Sequence, residues 1–277
     1  MTEEKVILKE LKQHACTMAT DEARALVMNY YIEQEYRKSA NNQCNALSKQ
    51  GKSTKILEYF AKEHERLEKQ YKTMLEKFVQ SQEIGKWLTS ITGIGPVIAA
   101  GLIAHIDITK CKSAGQIWSY AGYNPTQVWE KHQKRPFNAA LKLLCWKVGE
   151  SFIKVSNNPK DFYGKLYKQR KEYEIKKNED LEYAEQATHK LATVKIGKNT
   201  EAYKWYSKGM LPPAHINERA KRWTVKIFLS HLFAVWYQMV NGEKPAIPYA
   251  IAILGHAHTI EIPNWDAKNC VIVVDED

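Results

Sequence analysis

The sequence predicts a mainly α-helical protein with a small β element near its C-terminus, and three observations support this fold class. Apolar residues recur every three to four positions along the N-terminal part, as they do on one face of a helix. Two short apolar runs then flank the turn Gly93-Ile94-Gly95-Pro96, a pattern typical of a helix–hairpin–helix motif. Near the end, Pro245, Pro248 and Pro263 bound short β-prone pieces.

Changes in composition along the chain predict three segments. Residues 1–82 form a helical hairpin or coiled-coil arm, because their apolar positions follow a helical period. Residues 83–158 contain more glycine, proline and aromatic side chains and form a compact helical domain with the helix–hairpin–helix motif. Residues 159–277 form a basic helical extension that ends in short strands.

The first segment is expected to contain two long helices joined by a short turn. Thr20 can cap the first helix, and Asp21 and Glu22 place two acids in its first turn. Gly51-Lys52-Ser53 interrupts the pattern. The next stretch has apolar positions at alternating spacings of four and three, which form a heptad seam: Phe60, His64, Leu67, Tyr71, Met74 and Phe78. Such a seam packs either on its own chain or on a second copy, so residues 54–80 are also a candidate homodimer surface.

The helix–hairpin–helix pattern runs from Ile84 to His105. Residues 84–91 can form a short helix, and the glycines of the turn can adopt backbone angles closed to other residues. Pro96 suits the first turn of the second helix. The hairpin would direct its glycine amides and the first amides of the second helix toward a phosphate. We therefore predict Gly93 and Gly95 as nucleic-acid-binding residues, although a tight turn in a helical core would need the same glycines.

Several cations of the second segment are candidates for contacts to a nucleic-acid backbone: Lys86, Lys110, Lys112, Lys131, Lys134 and Arg135. The last three lie in the loop from Trp129 to Asn138, which precedes the apolar helix Ala139–Ile153. A mixture of cations and aromatic rings suits phosphate contact and ring stacking. A charged surface loop with one tryptophan facing the core is the alternative.

The third segment holds most of the excess positive charge, with 17 basic and 9 acidic side chains between Lys154 and Lys226. A charged helical stretch runs from about Asp161 to Lys190. A further helix, from Arg219 to Met239, is basic at its start and then apolar on nearly every side, which is typical of a buried helix. Three cations at its start share a face and could follow a phosphate backbone, unless they pair with Glu218 and other acids: Arg219, Arg222 and Lys226. Strands are expected around Ala250–Leu254, Thr259–Ile262 and Val271–Val274.

Composition and charge narrow the functional classes. The 41 basic and 31 acidic side chains leave a net charge of +10 on 277 residues. This imbalance favours a polyanionic partner, and we predict nucleic acid, most of all DNA, with a lysine-rich solvated surface as the alternative. The five cysteines form no C-x-x-C pair, and the longest apolar run, Pro96–Ala104, is too short for a membrane span. With no signal peptide visible, we expect a cytoplasmic protein without membrane association.

Histidines support an alternative, enzymatic interpretation. His256 and His258 lie on the same side of a predicted strand, and with His215 or His231 they could supply three nitrogen ligands to a divalent metal. Such a site would suit phosphodiester hydrolysis, so a metal-dependent nuclease or recombinase is the second hypothesis and the only one that implies a cofactor. We assign no metal ligands otherwise. The third hypothesis is a non-enzymatic interaction protein built on the coiled-coil arm.

Four strings of residues carry a resemblance to a known family: Leu88–Pro96, Ile106–Ile108, Lys112–Ala114 and Trp118–Pro125. In this order they resemble the C-terminal domain of the insertion-sequence transposases that pair a RuvC-like DEDD domain, with four metal-binding acids, with a C-terminal serine domain. In that class a coiled coil joins the two domains, and the enzyme works with a guide RNA. The resemblance covers about residues 85–155 and implies a DNA-binding protein of recombination, mobile-element or phage biology.

Two parts of the family pattern are missing from the sequence. No β-rich segment with spaced acids precedes the helical hairpin, so we expect no RuvC-like core in this chain. The family's catalytic serine follows the turn that corresponds to Gly122–Pro125, but residues 126–131 contain no serine and offer only Thr126. We therefore expect the serine chemistry to be absent; any activity that remains would be phosphodiester cleavage or strand transfer. The segment from Lys160 onward has no counterpart in the family and resembles extensions in mobile-element genomes.

Overall fold

The computed structural model describes residues 3–245 and 260–273 and confirms the mainly helical fold. Within these residues, no helix is both long enough and apolar enough to cross a membrane. The helices follow one another with short connections, except for the long loop between α6 and α7. In chain order they are α1 (Glu3–Ala15), α2 (Thr20–Ser48), α3 (Lys55–Gln80), α4 (Glu83–Ser90), α5 (Pro96–His105), a 3₁₀ turn (Ile108–Lys110), α6 (Ala114–Tyr120), α7 (Ala139–Val155), α8 (Tyr163–Glu179), α9 (Ala184–Thr193), α10 (Glu201–Tyr206) and α11 (Pro213–Asn241).

The arm is an antiparallel hairpin of α2 and α3, with α1 packed against α3. α2 begins at Thr20, but the predicted cap is wrong, because Ala19 is the N-cap and no side chain bonds the first amides. Gly51 takes a positive φ of 68° in the turn that follows α2. An ion pair and a hydrogen bond join the two helices across the hairpin: the Arg37 Nε lies 2.6 Å from Glu68 Oε2, and His64 Nδ1 lies 2.7 Å from Glu33 Oε2. The inner ends of α2 and α3 also pack against α5. Within one chain, the hairpin is therefore docked on the domain that follows it.

The core of the molecule surrounds α5, which is apolar on nearly every side and buried along most of its length. An all-apolar helix needs neighbours on every face, and here they are α2, α3, α4 and α7. Helix α11 packs against α4, α6, α7 and α8. Aromatic rings fill the centre: Trp87 stacks on Phe228 with centroids 6.2 Å apart, and Phe152 stacks on Tyr163 at 4.7 Å. One buried cluster thus takes residues from all three predicted segments.

The charged helical stretch predicted from about Asp161 to Lys190 forms two helices, α8 and α9. The break lies at Leu181, which has a positive φ of 59°. Behind it, α8, α9 and α11 enclose a smaller apolar cluster that includes Tyr183 and Leu211. The side-chain amide of Asn178 donates to the Leu211 carbonyl at 2.9 Å and accepts from its N–H at 2.8 Å, which ties the end of α8 to the start of α11.

The C-terminal residues 260–273 fold back onto the helical domain. They contain two short antiparallel strands, β1 (Trp265–Asp266) and β2 (Val271–Ile272), with Trp265 opposite Ile272. The Trp87 indole donates to the Pro263 carbonyl at 2.9 Å, so this segment closes over α4. The small β element is confirmed at residues 271–272. Residues 260–262 form no strand, and the piece predicted around residues 250–254 lies outside the described residues.

Candidate nucleic-acid interface

Helices α4 and α5 are joined by a five-residue turn, which we call the hairpin turn, and Pro96 lies in the first turn of α5. Its two glycines have different roles. Gly93 has a φ of +97°, a conformation that L side chains rarely adopt. A Cβ there would lie 3.1 Å from Val155 Cγ2 and 3.2 Å from Phe152 Cδ1. The Gly93 carbonyl also accepts a hydrogen bond from the Ser151 hydroxyl at 2.5 Å. Gly93 therefore shapes the turn and seats it on the end of α7.

Gly95 differs from the prediction, because its φ of −84° and ψ of 171° are open to any residue. It is exposed, and no heavy atom of the described residues lies within 4 Å of the position a Cβ would take. Gly95 is the N-cap of α5, and it provides no side chain to bond the amides of the first turn. Those amides have no acceptor within the helix. The open space at Gly95 is thus on the approach to a helix N-terminus with positive partial charge.

Exposed lysines that the sequence did not single out lie in or near the loop between α7 and α8, which contacts this turn. The Thr92 hydroxyl donates to the Lys160 carbonyl at 3.3 Å, which places the loop between α7 and α8 beside the turn. Lys165 donates to the Pro159 carbonyl at 2.6 Å, and Lys168 donates to the Ser156 carbonyl at 2.9 Å, so both side chains lie along that loop. The only sequence signal for them was the excess of basic side chains after residue 154. We call Lys154, Lys160, Lys165 and Lys168 the turn lysines.

The predicted cations Lys86, Lys110 and Lys112 are all exposed. Lys86 is on α4, one turn before the hairpin. Lys110 ends the 3₁₀ turn and pairs with Asp107 at 2.8 Å. That carboxylate raises the pKa of Lys110, which stays charged at neutral pH. All three side chains are accessible to a polyanion, and the pair with Asp107 at an exposed position contributes little to holding Lys110 in place.

The long loop between α6 and α7 presents Lys131, Lys134 and Arg135, all exposed, as both a binding loop and a charged surface loop would. Asn138 closes it: its N–H donates to the Tyr120 carbonyl at 2.8 Å, and its side chain accepts from Leu141 N at 3.0 Å to cap α7. The hairpin turn contacts the C-terminal end of α7, whereas this loop leads into its N-terminal end. The 17 residues of α7 separate the two by about 25 Å, at about 1.5 Å per residue.

The three cations predicted to share a basic face at the start of the last helix have different surroundings in the structure. Arg219 is half-buried, and its Nε donates to Glu174 Oε2 at 2.8 Å. Its guanidinium also lies 4.3 Å from the centroid of the Tyr183 ring. The prediction that Arg219 faces a phosphate backbone is therefore at odds with its position, because the buried Glu174 carboxylate holds it inside the protein.

Arg222 and Lys226 lie on the side of α11 that meets α6. Arg222 is exposed, and its Nε donates to the Glu218 carbonyl at 3.2 Å. The Lys226 ammonium is 4.2 Å from the centroid of the Trp118 ring, and the Trp118 indole donates to the Lys226 carbonyl at 3.1 Å. Burial lowers the pKa of Lys226. Of the three predicted cations, Arg222 is thus the one most accessible to a ligand.

The histidines predicted for a metal site are not brought together within the described residues. His215 Nδ1 lies 3.3 Å from the Tyr206 hydroxyl, whereas His231 Nδ1 lies 2.9 Å from the Tyr163 hydroxyl inside the core. Burial lowers the pKa of His231 to about 4. His256 and His258 lie outside the described residues. Over residues 3–245 and 260–273, no group of three or more His, Cys, Asp or Glu side chains could hold a metal ion.

Thr126 occupies the region where the resembling family carries its serine. Its hydroxyl donates to Asn124 Oδ1 at 2.9 Å, and its backbone N–H donates to the same oxygen at 3.1 Å. This is the hydrogen bonding of an Asx turn, which stabilises the start of the loop. The structure therefore gives Thr126 a local structural role.

One comparison with known proteins found a match to part of the chain. Residues 85–129 match the model of a family described as Transposase IS116/IS110/IS902 family. The matched residues cover most of α4, the hairpin turn, α5, the 3₁₀ turn, α6 and the start of the long loop. They confirm the resemblance inferred from the sequence in this part of the chain and support a transposase-like role in mobile elements. No curated protein and no solved structure matches the chain.

Proposed function

We propose that this chain, in which residues 85–129 match the IS116/IS110/IS902 transposase family, is a DNA-binding protein that grips the nucleic-acid backbone. It acts in recombination or in mobile-element or phage biology, without the serine chemistry of that family. The observation that carries the proposal is the open N-terminus of α5 at Gly95, in a turn that contacts the lysine-containing loop between α7 and α8. A phosphate is the ligand that such an array of amides and cations suits.

The contact at the hairpin turn is independent of base sequence. Backbone amides and lysines bind phosphate oxygens, which are the same at every base pair. The turn lysines supply long-range attraction, and the first amides of α5 supply directional hydrogen bonds. Gly93 shapes the turn and packs on α7. We therefore assign it a structural role and no contact with DNA.

The second contact is the long loop at the other end of α7, with Lys131, Lys134 and Arg135. A DNA duplex carries a phosphate charge about every 1.7 Å along its axis, so a duplex longer than α7 has phosphates for the contacts at both ends of this helix. The proposed contacts are Gly95, the predicted cations that are exposed, and the turn lysines, without Arg219 and the half-buried Lys226: Gly95, Lys86, Lys110, Lys112, Lys131, Lys134, Arg135, Arg222, Lys154, Lys160, Lys165 and Lys168.

The test is a salt titration of binding to a generic 20-base-pair duplex. With six or more phosphate contacts, affinity should fall about 10³-fold between roughly 50 and 200 mM salt. Replacing Lys131, Lys134 and Arg135 by alanine should lower the salt slope by about 0.9 for each phosphate that the variant no longer neutralises. The matched control removes three exposed lysines of the arm that lie outside residues 54–80: Lys12, Lys49 and Lys52. Equal effects of the two triple variants, or no binding to DNA or RNA at the lower salt concentration, would overturn the proposal.

We also propose that the distal end of the arm joins two copies of the chain through residues 54–80. The inner half of the α3 seam is buried against the chain's own helices, whereas Ile56, Tyr59 and Phe60 are exposed at its outer end. An exposed apolar group of this kind marks a contact surface. Ile56→Lys combined with Phe60→Lys should convert a dimer to a monomer in sedimentation, while Val194→Lys, at another exposed apolar position, should not. A monomeric parent protein would exclude this arrangement.

A further inference from the structure

We infer that the Trp129 ring is a stacking platform for an unpaired nucleobase, so that the long loop recognises single-stranded or gapped DNA. The inference rests on the proposed binding of nucleic acid and specifies the substrate class at one of its contacts. Three features carry it: the ring is exposed, it is held in one orientation, and its surroundings are basic.

Trp129 is 42% exposed, yet its indole is fixed by the loop. The indole Nε1 donates to the Gln133 carbonyl at 2.9 Å. The Arg135 guanidinium carbon lies 5.5 Å from the ring centroid. The Gln127 side chain donates a hydrogen bond to the Pro136 carbonyl at 2.9 Å, which joins the two ends of this part of the loop. A ring ordered before binding loses little conformational freedom when a base stacks on it, which favours affinity.

The surroundings of the ring indicate which partner it fits. The adjacent Val128 is 81% exposed, so the apolar surface extends beyond the indole. Lys131 and Lys134 follow in the same loop and are exposed. The nearby Glu130 carboxylate accepts a hydrogen bond from the Gln133 side chain at 3.0 Å. An aromatic face bordered by cations is the arrangement that binds bases by stacking and phosphates by charge.

The bases of an intact duplex are stacked on one another, so their faces are closed to a protein ring. An aromatic platform therefore needs bases that are unpaired or have been unstacked. Such bases occur in single strands, gaps and branched junctions. The backbone contacts proposed for the hairpin turn and for the loop cations Lys131, Lys134 and Arg135 have no such requirement, so the Trp129 ring is the part of the loop that distinguishes an unpaired strand from a duplex.

Trp146 provides a matched comparison within the same chain. It is 44% exposed, and the Lys221 ammonium lies 4.8 Å from its ring centroid. That cation, however, is paired with Glu150 at 2.7 Å and also with Glu218. Two carboxylates beside the ring oppose a polyanion. Trp146 thus has the same exposure and ring chemistry as Trp129 without the basic surroundings.

The experiment measures the affinity of Trp129→Ala, Trp129→Phe and Trp146→Ala for a 12-nucleotide single strand and for the duplex of the same sequence. Trp129→Ala should weaken binding of the single strand about 5- to 100-fold and change duplex binding less than about twofold, because stacking is lost and phosphate contacts remain. Trp129→Phe should recover most of the loss, and Trp146→Ala should match the parent protein. Circular dichroism melting of each variant establishes that the fold is intact.

Three results would overturn the inference: unchanged single-strand affinity in Trp129→Ala, an equal loss for single strand and duplex, or an equal loss in Trp146→Ala. A parent protein that binds the duplex but not the single strand refutes the platform and leaves the proposed function standing. A parent protein that binds neither refutes both. A change of oligomeric state in Trp129→Ala with unchanged DNA affinity would assign the ring to a protein contact instead.

Discussion

Gly95→Asp separates nucleic-acid binding from stability at the hairpin turn. Gly95 is the N-cap of α5, and other residues can adopt its backbone angles. No heavy atom of the described residues lies within 4 Å of the position that a Cβ would take. Aspartate is a good N-cap and its charge favours a helix N-terminus, so the substitution should stabilise the fold by a few tenths to about 1 kcal/mol. The same carboxylate would lie where we place a DNA phosphate.

The expected loss of DNA affinity follows from that position. Two like charges about 4 Å apart repel by about 1 kcal/mol in water and by more near a protein surface. The new side chain also takes one of the α5 amides from the phosphate, and a hydrogen bond to a charged group is worth about 1.5–3 kcal/mol. We therefore expect duplex affinity to fall at least about tenfold, since 1.4 kcal/mol corresponds to one decade.

Gly95→Asn is the control, because asparagine has the shape and capping ability of aspartate without its charge. Fluorescence anisotropy with a labelled duplex gives the affinity of each variant, and urea unfolding gives its stability. Gly95→Asn should bind more tightly than Gly95→Asp, with both folds at least as stable as the parent. Equal affinities for the two variants would refute the placement of a phosphate at α5, and a marked loss of stability would refute the N-cap argument.

Three further predictions concern stability and are checked by urea unfolding. Gly93→Ala should destabilise the fold by about 1–3 kcal/mol, because its φ is +97° and the added Cβ crowds Phe152; a neutral effect would contradict the structural role of this glycine. Burial lowers the pKa of His231 to about 4, so below pH 6.5 the unfolded chain binds a proton that the folded chain does not. Stability should fall by up to about 3 kcal/mol as the pH drops from 6.5 to 4, and His231→Gln should show a smaller fall over that range, whereas parallel curves would count against it. Burial alone would raise the pKa of Glu174, but hydrogen bonds from Arg219, Tyr183 and Arg170 lower it overall. Glu174→Ala should cost about 3–5 kcal/mol by leaving two guanidinium groups without their partner, and a loss below 1 kcal/mol would show that the cluster is dispensable.

The amino-acid sequence by itself determined the features that depend on neighbours along the chain. The start of α2 at Thr20, the hairpin turn with Pro96 in the first turn of α5, and the helix from Ala139 are all predicted correctly. Capping, proline geometry and helical periodicity act over a few residues, so they can be read from spacing. The same local pattern carries the match to the transposase family over residues 85–129.

The tertiary structure decided what each of these residues faces. Gly93 is packed on α7, 58 residues later in the chain, while Gly95 faces open space, although both belong to one turn. Arg219 has the sequence features of a phosphate contact, but Glu174 on another helix holds it inside. The Lys160 backbone lies beside the hairpin turn because the loop between α7 and α8 contacts Thr92. Each outcome depends on contacts between distant parts of the chain, which a local pattern of residues does not specify.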